Sequence, residues 1–217
     1  MSVKPTDWTR YYSSKTSVNK FTRDYVQNIL ISKIKKFCVK RPVIFELGGA
    51  NSCFFQAVYN EIKPTSYKVI DNNVYGLNLF AERYKNLPNV YTENRDLLIP
   101  PPPVAASEIK AQADLVFSAG LIEHFDFDGT GYIIKSHFDM AKPGGIIILT
   151  FPTPTRKYKL VRKLMEIFKL WKFFDERALM PVEVLQHSLK FGDLLESRLM
   201  GKMPLTQQIM IFKKNIY

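Results

Sequence analysis

A chain of 217 residues that is 46% hydrophobic and 13% aromatic carries enough apolar surface to close one core, which excludes a disordered chain and makes a single domain the expectation. Its 31 Lys and Arg against 20 Asp and Glu leave a net charge of +11, which favours anionic partners such as nucleic acid, an acidic leaflet or a phosphorylated acceptor without choosing among them. Two cysteines, Cys38 and Cys53, exclude a disulfide framework and lack zinc-ligand spacing, so packing roles, a reducing compartment and no metal site are expected.

The opening residues MSVKPTDWTR lack the apolar core of a secretory leader, and no apolar run approaches the ~18 residues of a membrane span, so a cytoplasmic protein is expected. Trp8, Tyr11 and Tyr12 precede a segment over 18–40 in which Phe21, Tyr25, Ile29, Leu30, Ile34 and Phe37 fall at helical spacing with lysines between them. Residues 1–40 are therefore expected as a helical lid or cap, and 41–217 as the main domain. Pro42 ends the helical pattern, and VIFEL (43–47) reads as a buried parallel strand. Helix over 52–62, strand over 67–71, helix over 73–86 and strand over 89–94 follow. The prolines from Pro100 to Pro103 predict an extended surface loop. Beyond them come a strand at 113–118, a helix at 129–141, the turn Lys142-Pro143-Gly144 and a strand at 144–151. The remainder reads as a basic helix over 156–174, a helix from Pro181 to about Lys190, and a strand pair at 193–200 and 207–214. Alternating strands and helices predict an α/β, Rossmann-like, mostly parallel seven-stranded sheet with helices on both faces, closed by a C-terminal antiparallel pair.

In such a sheet, ligands bind beyond the C-terminal strand ends, at the switch point. The first strand ends in Glu46-Leu47-Gly48-Gly49-Ala50-Asn51-Ser52, a small-residue turn that admits a ligand to the backbone. The second ends in Asp71-Asn72, where a carboxylate can take both hydroxyls of a ribose. Asn94-Arg95-Asp96-Leu97 follows the third, and Ser118 ends the fourth before Gly120-Leu121-Ile122-Glu123-His124-Phe125.

The ordered set VIFELGG, YKVIDNN, NRDLL, DLVFSAGLIEHF and KPGGIIILTFPTP resembles the class I S-adenosylmethionine-dependent methyltransferases, especially those that methylate small molecules, sugars and lipid-linked precursors. The resemblance covers about residues 40–155. It implies that S-adenosylmethionine is the cofactor, with its methionine end held by Glu46, Gly48, Gly49 and Ala50, its ribose by Asp71 with Asn72, and its adenine by Asp96 and the backbone near Leu97, with Arg95 alongside. It also implies that Ser118 lines the floor beneath the sulfonium. Ala50 and Ser52 stand where the family's loop usually has glycine.

Methyl transfer is a direct displacement, so a hydroxyl acceptor needs alignment and loss of its proton. His124, after the fourth strand, is the candidate general base; His137 and His187 lie in helices and are expected to be structural. Tyr11 and Tyr12 are expected to fold over the cofactor and reach its carboxylate. Arg156 and its basic helix, inserted at 155–190, are expected to meet the acceptor or an anionic membrane, through a face of Leu160, Val161, Leu164, Phe168 and Trp171. The expected activity is O-methylation of a small molecule or sugar, including a lipid- or nucleotide-linked glycan precursor. The net charge keeps RNA methylation as an alternative, although no Asn-Pro-Pro-Tyr-like string follows the fourth strand. A nicotinamide oxidoreductase would share the aspartate after the second strand but lacks G-x-G-x-x-G, and a non-catalytic binding protein would share the fold.

Overall fold

The structure, a computed structural model, describes residues 5–14, 20–99, 113–202 and 206–216. The proline run at 100–103 lies outside the described residues. Seven strands form one sheet in the order β3-β2-β1-β4-β5-β7-β6, with β1 Val43–Leu47, β2 Ser66–Asp71, β3 Val90–Asn94, β4 Ala113–Ala119, β5 Ala141–Pro152, β6 Gly192–Met200 and β7 Gln207–Lys214. β3, β2, β1, β4 and β5 run parallel, while β7 is antiparallel to β5 and β6 antiparallel to β7. The seven-stranded, mostly parallel architecture and its antiparallel closure match the sequence expectation. Order reverses between β1 and β4, which puts the switch point at their C-terminal ends.

Helices cover both faces because β1 and β4 are apolar on both sides. One face packs under α2 (Lys20–Phe37), α3 (Phe55–Ile62) and α4 (Val74–Tyr84), with Leu30 and Ile34 of α2 meeting Phe55, Val58, Leu77 and Phe80 over the sheet. Phe55 is central here, edge-on to Tyr67 and Phe80 at 4.8 Å, and each such buried ring contributes about 1.5–3 kcal/mol. The other face carries α5 (Phe127–Met140) and α7 (Pro181–Ser188), whose Ile133, Ile134, Phe138 and Val184 are buried. Local chemistry sets the starts: Asn73, Asp126 and Thr155 each accept a backbone N–H from the first turn of the helix that follows, worth about 1 kcal/mol apiece.

Two further α-helices among the described residues are α1 (Trp8–Ser13) and α6 (Arg156–Ile167). α2 belongs to the core, so within residues 1–40 it is α1 that lies apart from the sheet's packing. The basic helix expected to reach Phe174 stops at Ile167. Lys169 takes φ +54°, its N–H meets the carbonyl of Glu166 and that of Leu170 meets Met165, a left-handed termination that turns the chain out of the helix. Its apolar face is also not buried as a core helix would have it: Tyr158 is the buried residue of α6, while Leu160, Leu164, Ile167 and Phe168 are 61%, 47%, 62% and 68% exposed. Cys38 is half-buried, but Cys53 is exposed rather than packed.

Candidate functional site

Parallel registry brings the C-terminal strand tips to one edge. Leu47 pairs with Ile70 and Asp71 with Asn94, so Gly48, Asp71 and Arg95 leave the sheet side by side, tied by Gly48 N–H to Ile70 and Arg95 N–H to Asp71, both at 2.9 Å. Beyond them opens a cavity of about 880 Å³. Glu46, Gly48, Gly49, Asp71, Asn72, Arg95, Asp96 and Leu97 line it, as do Tyr11, Tyr12 and His124.

Glu46 is 3% exposed. Its carboxylate accepts from Ser52 Oγ at 2.8 Å and from Tyr67 OH at 2.7 Å. Burial pushes its pKa up to about 7, against those two hydrogen bonds, which favour the ionised form. Ser52, one of the two departures from the family's glycine loop, thus has a local use: it fixes Glu46 and also accepts from Phe54 N and Phe55 N at the start of α3. Gly48 adopts φ +69°, a conformation that costs other L residues about 1–2 kcal/mol.

Asp71 ties the first two loops together. One carboxylate oxygen accepts from Ala50 N at 3.0 Å and the other from Asn73 N at 2.7 Å, leaving a lone pair on each for a ligand. Burial raises its pKa even so. Ala50 is fully buried and does not line the cavity; its role is this N–H. Asp96 accepts from Leu98 N at 2.9 Å. Arg95 directs its guanidinium to Glu93 at 3.0 Å.

Besides Ala50, two expected site residues lie outside the cavity lining. Ser118 is fully buried, its hydroxyl 2.9 Å from His137 Nε2, while His137 Nδ1 is 2.7 Å from the Ile133 carbonyl. It faces α5, because alternate residues of β4 point to opposite faces, and the cavity floor falls instead to Ala119, Gly120 and Leu121. Burial lowers the His137 pKa to about 4, so this histidine is a neutral structural bridge, as expected. Arg156 is exposed on the first turn of α6 and lies outside the cavity lining.

At the far end, aromatic rings enclose His124. Trp8 meets it edge-on at 5.0 Å, and Phe173 lies 5.8 Å from Trp8. Tyr12 stacks on Trp8 at 6.1 Å, and its hydroxyl pKa is raised by burial first and by Asp71 next. Nδ1 of His124 is 3.0 Å from Asp175 Oδ1, and Asp175 accepts from Thr6 N at 2.9 Å and from Thr6 Oγ1. Burial lowers the His124 pKa more than Asp175 raises it. Glu123 and Glu176 stand beside it, both raised in pKa chiefly by burial. Sequence reading quoted Glu123 without a role and missed Asp175 and Glu176 altogether, since they come from the irregular stretch after α6 and no spacing links them to His124.

No family model and no curated protein matches the sequence. Solved structures do match in three dimensions. The N-methyltransferase NodS from Bradyrhizobium japonicum WM9, in complex with S-adenosyl-L-homocysteine, aligns at TM-score 0.68 and 15% identity over 94% of this chain and 95% of its own. Magnesium protoporphyrin IX methyltransferase (ChlM) from Synechocystis PCC 6803, with the same compound bound, gives 0.69 and 11% over 96% and 93%. A SAM-dependent methyltransferase from Methanosarcina mazei gives 0.68 and 14% over 85% and 98%. Strand order, switch-point cavity and these alignments together give the chain the fold of the class I S-adenosylmethionine-dependent methyltransferases.

Proposed function

We propose that the protein transfers the methyl group of S-adenosylmethionine to a hydroxyl of a small molecule or sugar. The observation that carries this reading is the meeting of three strand-tip carboxylates, Glu46, Asp71 and Asp96, on one nucleoside-sized cavity. Glu46 and the backbone of Gly48 and Gly49 take the methionine end, Asp71 with Asn72 the ribose, and Asp96 with Leu97 the adenine. α1 is the lid, with Tyr11 and Tyr12 over the cofactor, and His124 serves the acceptor end. Bound there, S-adenosylmethionine would supply an electrophilic methyl group to the acceptor oxygen and leave as the thioether, while the hydroxyl proton would pass to His124 or solvent. The protein's contribution is alignment.

Glu46 gives this reading a pH signature. Below its pKa of about 7 the carboxyl is neutral in the free protein, whereas the cofactor's ammonium favours the carboxylate, so binding releases a proton. Affinity for S-adenosylhomocysteine is expected to fall about tenfold between roughly pH 8 and pH 6, and Glu46→Gln is expected to flatten that dependence. Calorimetry at several pH values reads both; a flat wild-type profile would remove Glu46 from the cofactor's contacts.

The acceptor, on this reading, sits at an acidic membrane surface, as a lipid-linked glycan precursor would. Support comes from α6, where exposed Leu160, Leu164, Ile167 and Phe168 stand among exposed Lys159, Lys163 and Lys169. The same stretch runs on into Trp171, Phe173 and Asp175 of the cavity wall. Among the described residues no helix is long and apolar enough to cross a membrane, so the contact would be interfacial, each lysine near the surface adding about 1 kcal/mol. The protein should float with acidic vesicles at low salt and be released by high salt, with Leu164→Glu reducing the bound fraction. Equal flotation with neutral vesicles, or none with acidic ones, would overturn the membrane reading.

A further inference from the structure

The acceptor end of the cavity holds more acid than the chemistry described so far uses. Glu123 is 2% exposed, and its Oε2 has no hydrogen-bond partner among the described residues. The charges that bear most on it are those of Glu176 and Asp175, both negative. A buried carboxyl left in this state is held protonated, and its oxygen stays unsatisfied, unless a cation or a donor occupies the space before it. In a chain of net charge +11 a lysine or arginine could have filled that place. Arg162 and Arg177, two guanidiniums nearby, point elsewhere: Arg162 to Glu166, the Tyr158 hydroxyl and the Glu176 carbonyl, and Arg177 to Glu183, the Phe125 carbonyl and the Thr130 hydroxyl.

Glu123, His124 and Glu176 each offer one ligand atom within 4.8 Å of the other two. The groups behind them are arranged as supporting partners of metal ligands are. His124 has its Nδ1 against Asp175 at 3.0 Å, and Asp175 is itself held by the backbone and side chain of Thr6. That is the carboxylate–histidine pairing that fixes the tautomer and orients the ring of a ligating histidine. Glu176 accepts from the Tyr158 hydroxyl, which Arg162 supports at 3.1 Å. Two of the three ligand side chains are thus oriented from behind, and one carboxyl oxygen of the third is unsatisfied.

We infer that Glu123, His124 and Glu176 bind a divalent cation at the acceptor end of the cavity. Two carboxylates and one imidazole, with no thiolate, suit a cation of the Mn²⁺ class, whose remaining positions would take water or acceptor oxygens. Resting on the methyltransferase reading above, this narrows the acceptor to one that presents adjacent oxygens, such as a vicinal diol or a hydroxyl beside a carboxylate. The cation would hold the acceptor oxygen and favour its ionised form, its proton passing to solvent. His124 then acts as a ligand in place of the general base its sequence position suggests.

The test is titration of the full chain with Mn²⁺, followed by electron paramagnetic resonance of the free ion and by calorimetry, alongside a separate titration with S-adenosylhomocysteine. Saturable binding of one Mn²⁺ per chain is expected, weakened at least about tenfold in Glu123→Gln and in Glu176→Gln, and by a smaller factor in Asp175→Asn. Affinity for S-adenosylhomocysteine in Glu123→Gln and Glu176→Gln should stay within about twofold of wild type, which a general loss of structure would not allow. No saturable Mn²⁺ binding by the wild type, or equal binding by Glu123→Gln, would overturn the site. If Glu123→Gln fails to fold, the half-buried Glu176→Gln decides in its place. Mn²⁺ binding without S-adenosylhomocysteine binding would leave the cation site standing and remove the methyltransferase reading; the reverse result removes the cation site alone.

Discussion

Asp71→Ala should weaken S-adenosylhomocysteine binding by about 100-fold, roughly 2.7 kcal/mol. Two losses add. The ligand's ribose would lose its charge-assisted acceptor, worth about 1.5–3 kcal/mol. The Ala50 and Asn73 N–H groups would lose the oxygens that now accept from them at 3.0 and 2.7 Å, so the loops after β1 and β2 would no longer be tied to each other. Asp71→Asn keeps one acceptor oxygen and should fall between wild type and alanine. Calorimetry on the three proteins orders them, and an Asp71→Ala affinity equal to wild type would show that the ribose lies elsewhere.

Gly49→Ala should have the second largest effect, through crowding alone. A Cβ at Gly49 would come within 2.7 Å of Glu46 Cδ and Cγ and 3.1 Å of its Oε1. Glu46 has no room to retreat, because Ser52 and Tyr67 hold its carboxylate at 2.8 and 2.7 Å. Overpacking of this kind costs about 1–3 kcal/mol; at the midpoint, about 2 kcal/mol lowers Tm by roughly 4–8 °C for a chain of this size. Cofactor affinity should drop with it, since Glu46 leaves its position. Gly201→Ala is the matched control, as a Cβ there meets nothing within 4 Å, and a thermal melt should leave it near wild type. Equal melting of Gly49→Ala and wild type would mean that the turn after β1 yields without cost.

The strands were legible because their physics is local. VIFEL and ADLVFS are short apolar runs of the kind a doubly covered parallel strand requires, and the small residues after Glu46 mark a turn that a ligand can approach. Asp71 and Asp96 could be read as strand-tip carboxylates from position alone. What escaped was fixed by the third dimension. Ser118 sits at the right place along β4 but on the face that meets His137, and a shift of one residue along a strand decides which way a side chain points. The end of α6 depends on Lys169 adopting a left-handed conformation, which no glycine or proline announces at that position. Whether its apolar face is buried depends on what packs against it, which periodicity cannot tell. Asp175 and Glu176 reach His124 across 51 and 52 positions of chain, through an irregular segment with no pattern to link them. The aromatic cluster of Trp8, Tyr11 and Tyr12, which lines the cavity, stood out in the sequence, whereas Thr6, the partner that holds Asp175 in place, did not.

The proposed function stands on the cavity taking a methionine-linked nucleoside rather than a dinucleotide. Calorimetric titration of the wild-type chain with S-adenosylhomocysteine and, separately, with NADH tests it most directly. One S-adenosylhomocysteine should bind per chain while NADH gives no saturable heat; saturable binding of NADH with none of S-adenosylhomocysteine would contradict the account.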